Sequence, residues 1–202
     1  NIYRNRGTNI INVYGTIQKN SKPIKTFATI NNPTQYFVVI LKDVLNKKGI
    51  KVLGYPIDID DLNESIDYNK FSLLFTHYSK PLSEIIKVIN KNSQNFFAEQ
   101  LLKVIGFEYK KYGSALNGIE VEKEFLEDIG IDPQGLSIVD GSGLSRLNLV
   151  SPNQIITLLN YIFRNDLFHY FYNSLPIAGI DGTLAERMRK TRAQNNVHAK
   201  TG

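Results

Sequence analysis

The chain has 202 residues, 42% of them apolar and 21% charged, and its 24 Lys/Arg against 19 Asp/Glu leave a net charge of +5. This balance excludes a disordered polymer and allows one or two domains with a sizeable core. No run approaches the roughly 18 apolar residues of a membrane-spanning helix, and the lack of cysteine excludes disulfides and thiolate metal sites. The charge is unevenly spread: residues 1–55 carry nine Lys/Arg against one acid, whereas residues 56–70 carry five acids against Lys70. Attraction of the basic segment to nucleic acid would call for stacking aromatics interleaved with the cations, and none are so arranged, so a solvated basic face is the reading. The chain opens on Asn1 without a basic and apolar leader, so any signal peptide is expected outside this sequence.

Residues 9–17 are β-branched and aromatic with partial alternation and read as a strand, with residues 24–30 as its partner across the Lys19–Pro23 turn. Asn32-Pro33-Thr34-Gln35 marks a helix start, with an N-cap, Pro at the first helical position and Gln three residues after the cap. Phe37, Ile40, Leu41, Val44 and Leu45 then predict one buried face. Gly49 ends that helix, and Ile50–Leu53 reads as a strand, completing a βαβ-like unit. The acidic stretch 56–70 is the best boundary candidate.

Beyond it, Leu82, Ile85, Ile86 and Ile89 define a helix, and Phe97, Leu101, Leu102 and Ile105 a second, stopped by Gly106. Residues 115–129 make a third, with Ile119, Phe125, Leu126 and Ile129 inward. Ser151-Pro152-Asn153-Gln154 is a capping box opening a fourth, carried by Ile155, Ile156, Leu159, Ile162 and Phe163. Val197–Thr201 reads as a strand.

Chemistry concentrates in two short motifs. Ser93-Gln94-Asn95 lies between the first two of these helices, and Lys200-Thr201-Gly202 closes the sequence. In penicillin-interacting serine enzymes such elements accompany a Ser-x-x-Lys nucleophile. No Ser-x-x-Lys occurs in the chain, and Thr16-Ile17-Gln18-Lys19 offers the wrong nucleophile in a strand. Ser93 and Asn95 are two apart, so an extended loop would point both the same way. Asp140-Gly141-Ser142-Gly143 lacks the Lys and the strand–helix context of a phosphate loop and reads as a structural turn, its glycines serving backbone conformation. His77, His169 and His198 follow no zinc spacing.

The ordered blocks Pro81–Ile86, Asn90–Glu99, Asp140–Arg146, Ser174–Leu184 and Ala199–Gly202 together resemble the class C low-molecular-mass penicillin-binding proteins. These form the D-alanyl-D-alanine carboxypeptidase/endopeptidase family. The resemblance is dense from about residue 76 onward and looser over residues 1–55.

It implies an α/β (α+β) transpeptidase/β-lactamase-like fold, an antiparallel sheet with packed helices. Residues 1–70 would be the end of an inserted accessory domain plus linker, and residues 71–202 the C-terminal part of the catalytic domain. It further implies a serine-type D-Ala-D-Ala carboxypeptidase acting on peptidoglycan stem peptides through an acyl-enzyme, outside the cytoplasmic membrane, with β-lactams as covalent inhibitors of the intact protein. By the same resemblance Ser93 relays a proton to the leaving amine and Asn95 binds the acyl-side carbonyl. Lys200 supplies charge near the terminal carboxylate, Thr201 offers it a hydroxyl, and Gly202 lets substrate approach the backbone. No metal or organic cofactor is implied. The nucleophile and its lysine are expected outside this chain, leaving these residues inactive by themselves. The alternative reading is a non-catalytic peptidoglycan-binding relative.

Overall fold

A computed structural model describes residues 1–202, which divide into two compact units, Asn1–Thr76 and His77–Gly202. No helix is long and apolar enough to cross a membrane.

In the first unit, β1 (Ile2–Arg4) and β2 (Ile11–Val13) pair antiparallel with Ile2 opposite Val13 and Arg4 opposite Ile11. The turn between them uses Gly7 at φ +71°, a left-handed conformation that glycine adopts without a Cβ clash. The strand expected over 9–17 is therefore shorter, and its partner lies upstream rather than at 24–30. A partner reached through a tight turn needs little loop closure. Residues 24–31 are instead fastened by side chains: Arg4 Nη2 donates to Thr29 Oγ1 at 3.1 Å, and Asn31 N–H to Asn9 Oδ1 at 2.7 Å.

Helix α1 (Pro33–Lys47) begins where its sequence signals place it: Asn32 Oδ1 accepts from the Gln35 N–H at 2.9 Å. The second half of the capping box does not form: Gln35 Nε2 donates to Pro56 O at 2.9 Å, and its Oε1, which would accept from the Asn32 N–H, is buried without a partner. At the other end, Gly49 takes φ +84°, Ile50 N–H reaches Leu45 O at 2.9 Å and Gly49 N–H reaches Asn46 O at 3.0 Å, a Schellman closure. The stripe expected to be buried is not: Phe37 is 64% exposed, and Ile40, Leu41 and Val44 are exposed as well. Periodicity marks an amphipathic helix but does not supply a surface to cover it. Ile50–Leu53 forms no strand; Val52 N–H is taken by Asn46 Oδ1 at 3.1 Å, so this backbone bonds to α1 and not to a neighbouring strand. The acidic stretch folds into two single 3₁₀ turns, Ile59–Asp61 and Tyr68–Lys70, each opened by an aspartate (Asp58 and Asp67) whose carboxylate accepts a backbone N–H two residues on.

The regular structure of the second unit is helical: α2 (Leu82–Asn92), α3 (Asn95–Lys110), α4 (Ala115–Asp128), α5 (Pro152–Phe163) and α6 (Phe168–Ser174). Gly106 does not stop α3. It lies inside the helix, and a Cβ there would meet Gly118 N at 2.8 Å and Ser114 O at 2.8 Å. Gly118 answers from α4, where a Cβ would lie 2.2 Å from Leu102 O. Two glycines thus let α3 and α4 approach backbone to backbone, at a cost of about 1 kcal/mol each in helix propensity. The inward face of α4 is accordingly Gly118, Val121 and Leu126, whereas Phe125 is 42% exposed and its ring meets Tyr161 edge-on at 5.7 Å.

Leu102, Val121, Leu126 and Ile131 are buried around this crossing. A second buried group, Ser174, Leu175, Pro176, Ala178 and Leu184, starts at the last residue of α6 and continues past it. Helix α5 has its full capping box at Ser151 and Gln154, yet Ile155, Ile156, Leu159 and Phe163 remain largely exposed. Val197–Thr201 makes one antiparallel bridge, Ile177 opposite His198, in place of a regular strand. Ala178 N–H to Val197 O at 2.9 Å and Ala199 N–H to Pro176 O at 3.0 Å hold it extended. The chain thus has the expected mixed class, helices with short antiparallel pairing.

Candidate functional site

The α2–α3 junction is where one helix must end and another start within three residues. Ser93 closes α2 in the left-handed conformation at φ +51°, its N–H bonded to Ile89 O. Gln94 is extended, and Asn95 is already the first residue of α3. The triplet is therefore a helix-to-helix corner and not an extended loop. The alternation rule for strands does not govern where Ser93 and Asn95 point.

Lys200 comes to this corner from the C-terminal segment. Its Nζ donates to Ser93 Oγ at 3.1 Å and to Thr201 O at 2.7 Å. Thr201 Oγ1 is hydrogen-bonded to Thr183 Oγ1 at 3.0 Å. The extended backbone of 197–199, bonded to 176–178, carries Lys200 to that position, and His198 braces it by stacking on Tyr172 of α6 at 4.0 Å between ring centres. The structure thus joins Lys200 to Ser93 directly and Thr201 to Thr183. The Asn95 side chain makes no hydrogen bond within the chain, although its residue stands two positions from Ser93. Gly202 has nothing within 4 Å of where a Cβ would be.

A serine hydroxyl has one proton to give and two lone pairs to accept with. With Lys200 occupying one lone pair, the Ser93 proton is left for a further acceptor.

Three residues that sequence reading left without a role complete the surroundings. Lys91, on the last turn of α2, donates to Asp181 Oδ2 at 2.6 Å and to Leu175 O at 2.9 Å. Desolvation pushes the Asp181 carboxyl up, but hydrogen bonds from Lys91 and the Ile177 N–H, with the nearby Lys91 and His198 charges, outweigh it and hold the group below the usual carboxylate range. Thr183 is the third. In the sequence Asp181, Gly182 and Thr183 stand out only as part of the Ser174–Leu184 block, because no local signal names a partner 90 positions away.

On the other side, the Asp140–Ser145 turn docks on the start of α3. Asp140 accepts from Gly143 N–H at 2.6 Å, Ser145 N–H at 2.8 Å and Asn148 Nδ2 at 2.9 Å. Burial opposes its charge, and these bonds overcome that to lower its pKa. Glu99 Oε1 accepts from Ser142 N–H at 2.9 Å. Gly143 takes a left-handed φ of +75°, as its expected backbone role requires. Gly141 differs: a Cβ there would sit 2.8 Å from Ala98 O, so its service is close approach to α3.

The structure thus sets a helix-end serine against the lysine of a Lys-Thr-Gly edge in a mixed α/β chain. The chain belongs to the D-Ala-D-Ala carboxypeptidase 3 (S13) family, whose model it matches over residues 1–202. It is 35% identical over 201 residues to a D-alanyl-D-alanine carboxypeptidase of an Actinomadura species, and 32% identical over 193 residues to D-alanyl-D-alanine carboxypeptidase DacB of Haemophilus influenzae. Those alignments take in 97% and 94% of this chain but only 37% and 39% of the relatives' own length. The crystal structure of penicillin binding protein 4 (dacB) from Haemophilus influenzae superposes with a TM-score of 0.74 at 33% identity, covering 86% of this chain and 38% of that one. A second structure of that protein, complexed with a β-lactam, superposes with a TM-score of 0.71 at 34% identity.

Proposed function

We propose that residues 77–202 contribute two walls of a serine acyl-transfer site that cleaves the terminal D-Ala-D-Ala bond of peptidoglycan stem peptides, outside the cytoplasmic membrane. The observation that carries this reading is the Lys200 Nζ to Ser93 Oγ hydrogen bond, 3.1 Å long between residues 107 positions apart. Ser93 passes a proton to the departing amine, Lys200 and Thr201 receive the substrate's terminal carboxylate, and Asn95, with no partner inside the chain, offers its amide to the acyl-side carbonyl. Gly202 leaves room for the substrate against the backbone.

The attacking serine is not one of these residues, because no Ser-x-x-Lys is present among the 202. Taken by themselves they neither hydrolyse peptide nor accept a covalent β-lactam. In the whole protein a serine adds to the carbonyl, D-alanine leaves with the relayed proton, and water releases the acyl group.

The test is labelling of the protein, expressed as its gene encodes it, with a fluorescent penicillin. The expected result is one acyl adduct mapping to a serine outside residues 1–202. An unlabelled protein that still sediments with peptidoglycan would replace this reading with a non-catalytic binding role.

A further inference from the structure

Lys91 precedes Ser93 by two residues on α2, and its side chain is 22% exposed. The ammonium is shared between the Asp181 carboxylate at 2.6 Å and the carbonyl of buried Leu175 at 2.9 Å. Asp181 is held from its other oxygen by the Ile177 N–H at 2.9 Å. Its neighbour Gly182 takes φ +57°, and a Cβ there would stand 2.6 Å from Lys91 O and 3.1 Å from Pro176 Cβ. The 3₁₀ turn Gly182–Leu184 therefore lies directly against the end of α2, and the next residue, Thr183, meets Thr201 at 3.0 Å. Leu184, 2% exposed, roots the turn in the second buried group.

Ion pairs on open surface contribute little. The other ion pairs of this chain join residues at most 14 positions apart, as in Lys110–Glu124, whereas Lys91–Asp181 spans 90. A lysine on the last helical turn also suits the negative end of the α2 dipole. Every link from Lys91 to Lys200 is a short contact: Lys91 to Asp181, Gly182 on Lys91 O, Thr183 to Thr201, and Lys200 back to Ser93.

We propose that Lys91 and Asp181 are positioning residues: their pair clamps the Gly182–Thr183 turn to the helix that bears Ser93, so that Thr183 holds Thr201 and Lys200 stays in reach of Ser93. The catalytic importance of this clamp rests on the acyl-transfer reading given above, but its geometry does not.

Two readouts separate the two ideas, both on the protein as its gene encodes it. The first is the rate of acylation by a fluorescent penicillin. The second is the rate at which a Thr183→Cys/Thr201→Cys pair forms a disulfide under mild oxidation, which reports their spacing without any chemistry at the site. Asp181→Asn keeps the shape and the Ile177 bond, and Lys91→Met keeps the stem. Each is expected to lower acylation about tenfold or more through misplacement and to slow the disulfide severalfold, and the double variant is expected to be no worse than either single. Lys91→Arg should restore most of both rates, and Lys110→Met, which breaks an ordinary surface pair, should change neither. If one variant fails to fold by circular dichroism, the other decides. Unchanged disulfide rates in folded variants would overturn the clamp, whatever acylation does. Slowed disulfide formation in a protein whose wild type takes no label would uphold the clamp and overturn the acyl-transfer reading.

Discussion

Lys200 Nζ and Ser93 Oγ meet at 3.1 Å, the ammonium donating and the hydroxyl accepting. Both side chains are exposed, so neither is held there by burial; the backbone bonds of 197–199 and the helix corner set their separation. Replacing Lys200 with Ala should therefore leave the helical circular dichroism unchanged while lowering penicillin acylation of the encoded protein about 10²-fold or more, the usual scale for removing a positioned electrostatic group. A drop smaller than threefold, on the order of a uniform surface effect, would remove Lys200 from the site.

The α3–α4 crossing makes a prediction of the opposite kind, on stability alone. Gly118→Ala improves helix propensity by about 1 kcal/mol, but it drives a methyl into Leu102 O, 2.2 Å away with no room on the backbone side. Overpacking of this sort costs about 1–3 kcal/mol. The steric cost should win, seen as a lower denaturant midpoint. Leu116→Ala on the same helix, at a side chain 79% exposed, should change the unfolding free energy by no more than about 0.5 kcal/mol.

Acid should weaken the second unit through Asp140 and Asp181. Both carboxyls titrate below their ordinary value when folded, so the stability they contribute is complete above the unfolded carboxylate pKa of about 4 and fades as pH falls through the folded one. Asp181 faces the Lys91 and His198 charges, and Asp140 faces only neutral donors. Melting curves below about pH 4 should fall more gently for Asp181→Asn than for wild type, because one protonation step is gone. Parallel curves would show that the pair contributes nothing to folding.

Glu122 should behave in the reverse sense. Burial raises its carboxyl, so the ionised form penalises the fold once pH exceeds the unfolded value, and the penalty is full above the folded one. Glu122→Gln is expected to raise the melting temperature at pH 7, with the gain vanishing towards about pH 4.

The cap of α5 offers a local check. Ser151 Oγ accepts from Gln154 N–H at 3.3 Å and Gln154 Oε1 accepts from Ser151 N–H at 2.8 Å. Ser151→Ala should cost about 1 kcal/mol, measured by chemical denaturation.

What could be read from the residue order was whatever is settled within a few positions. Asn32 and Ser151 announce α1 and α5 because a capping bond spans three residues, and Gly49 announces a helix end because its left-handed φ is a property of one residue. The short motifs Ser93–Asn95 and Lys200–Gly202 were visible for the same reason. Tertiary structure alone decided which stripes found cover, leaving Phe37 exposed and Leu102 buried, and turned Gly106 from an expected stop into half of a helix crossing. It also decided that Lys91 reaches Asp181 and Lys200 reaches Ser93. Contacts across 90 and 107 positions depend on how all the intervening chain packs, and no local conformational preference encodes that.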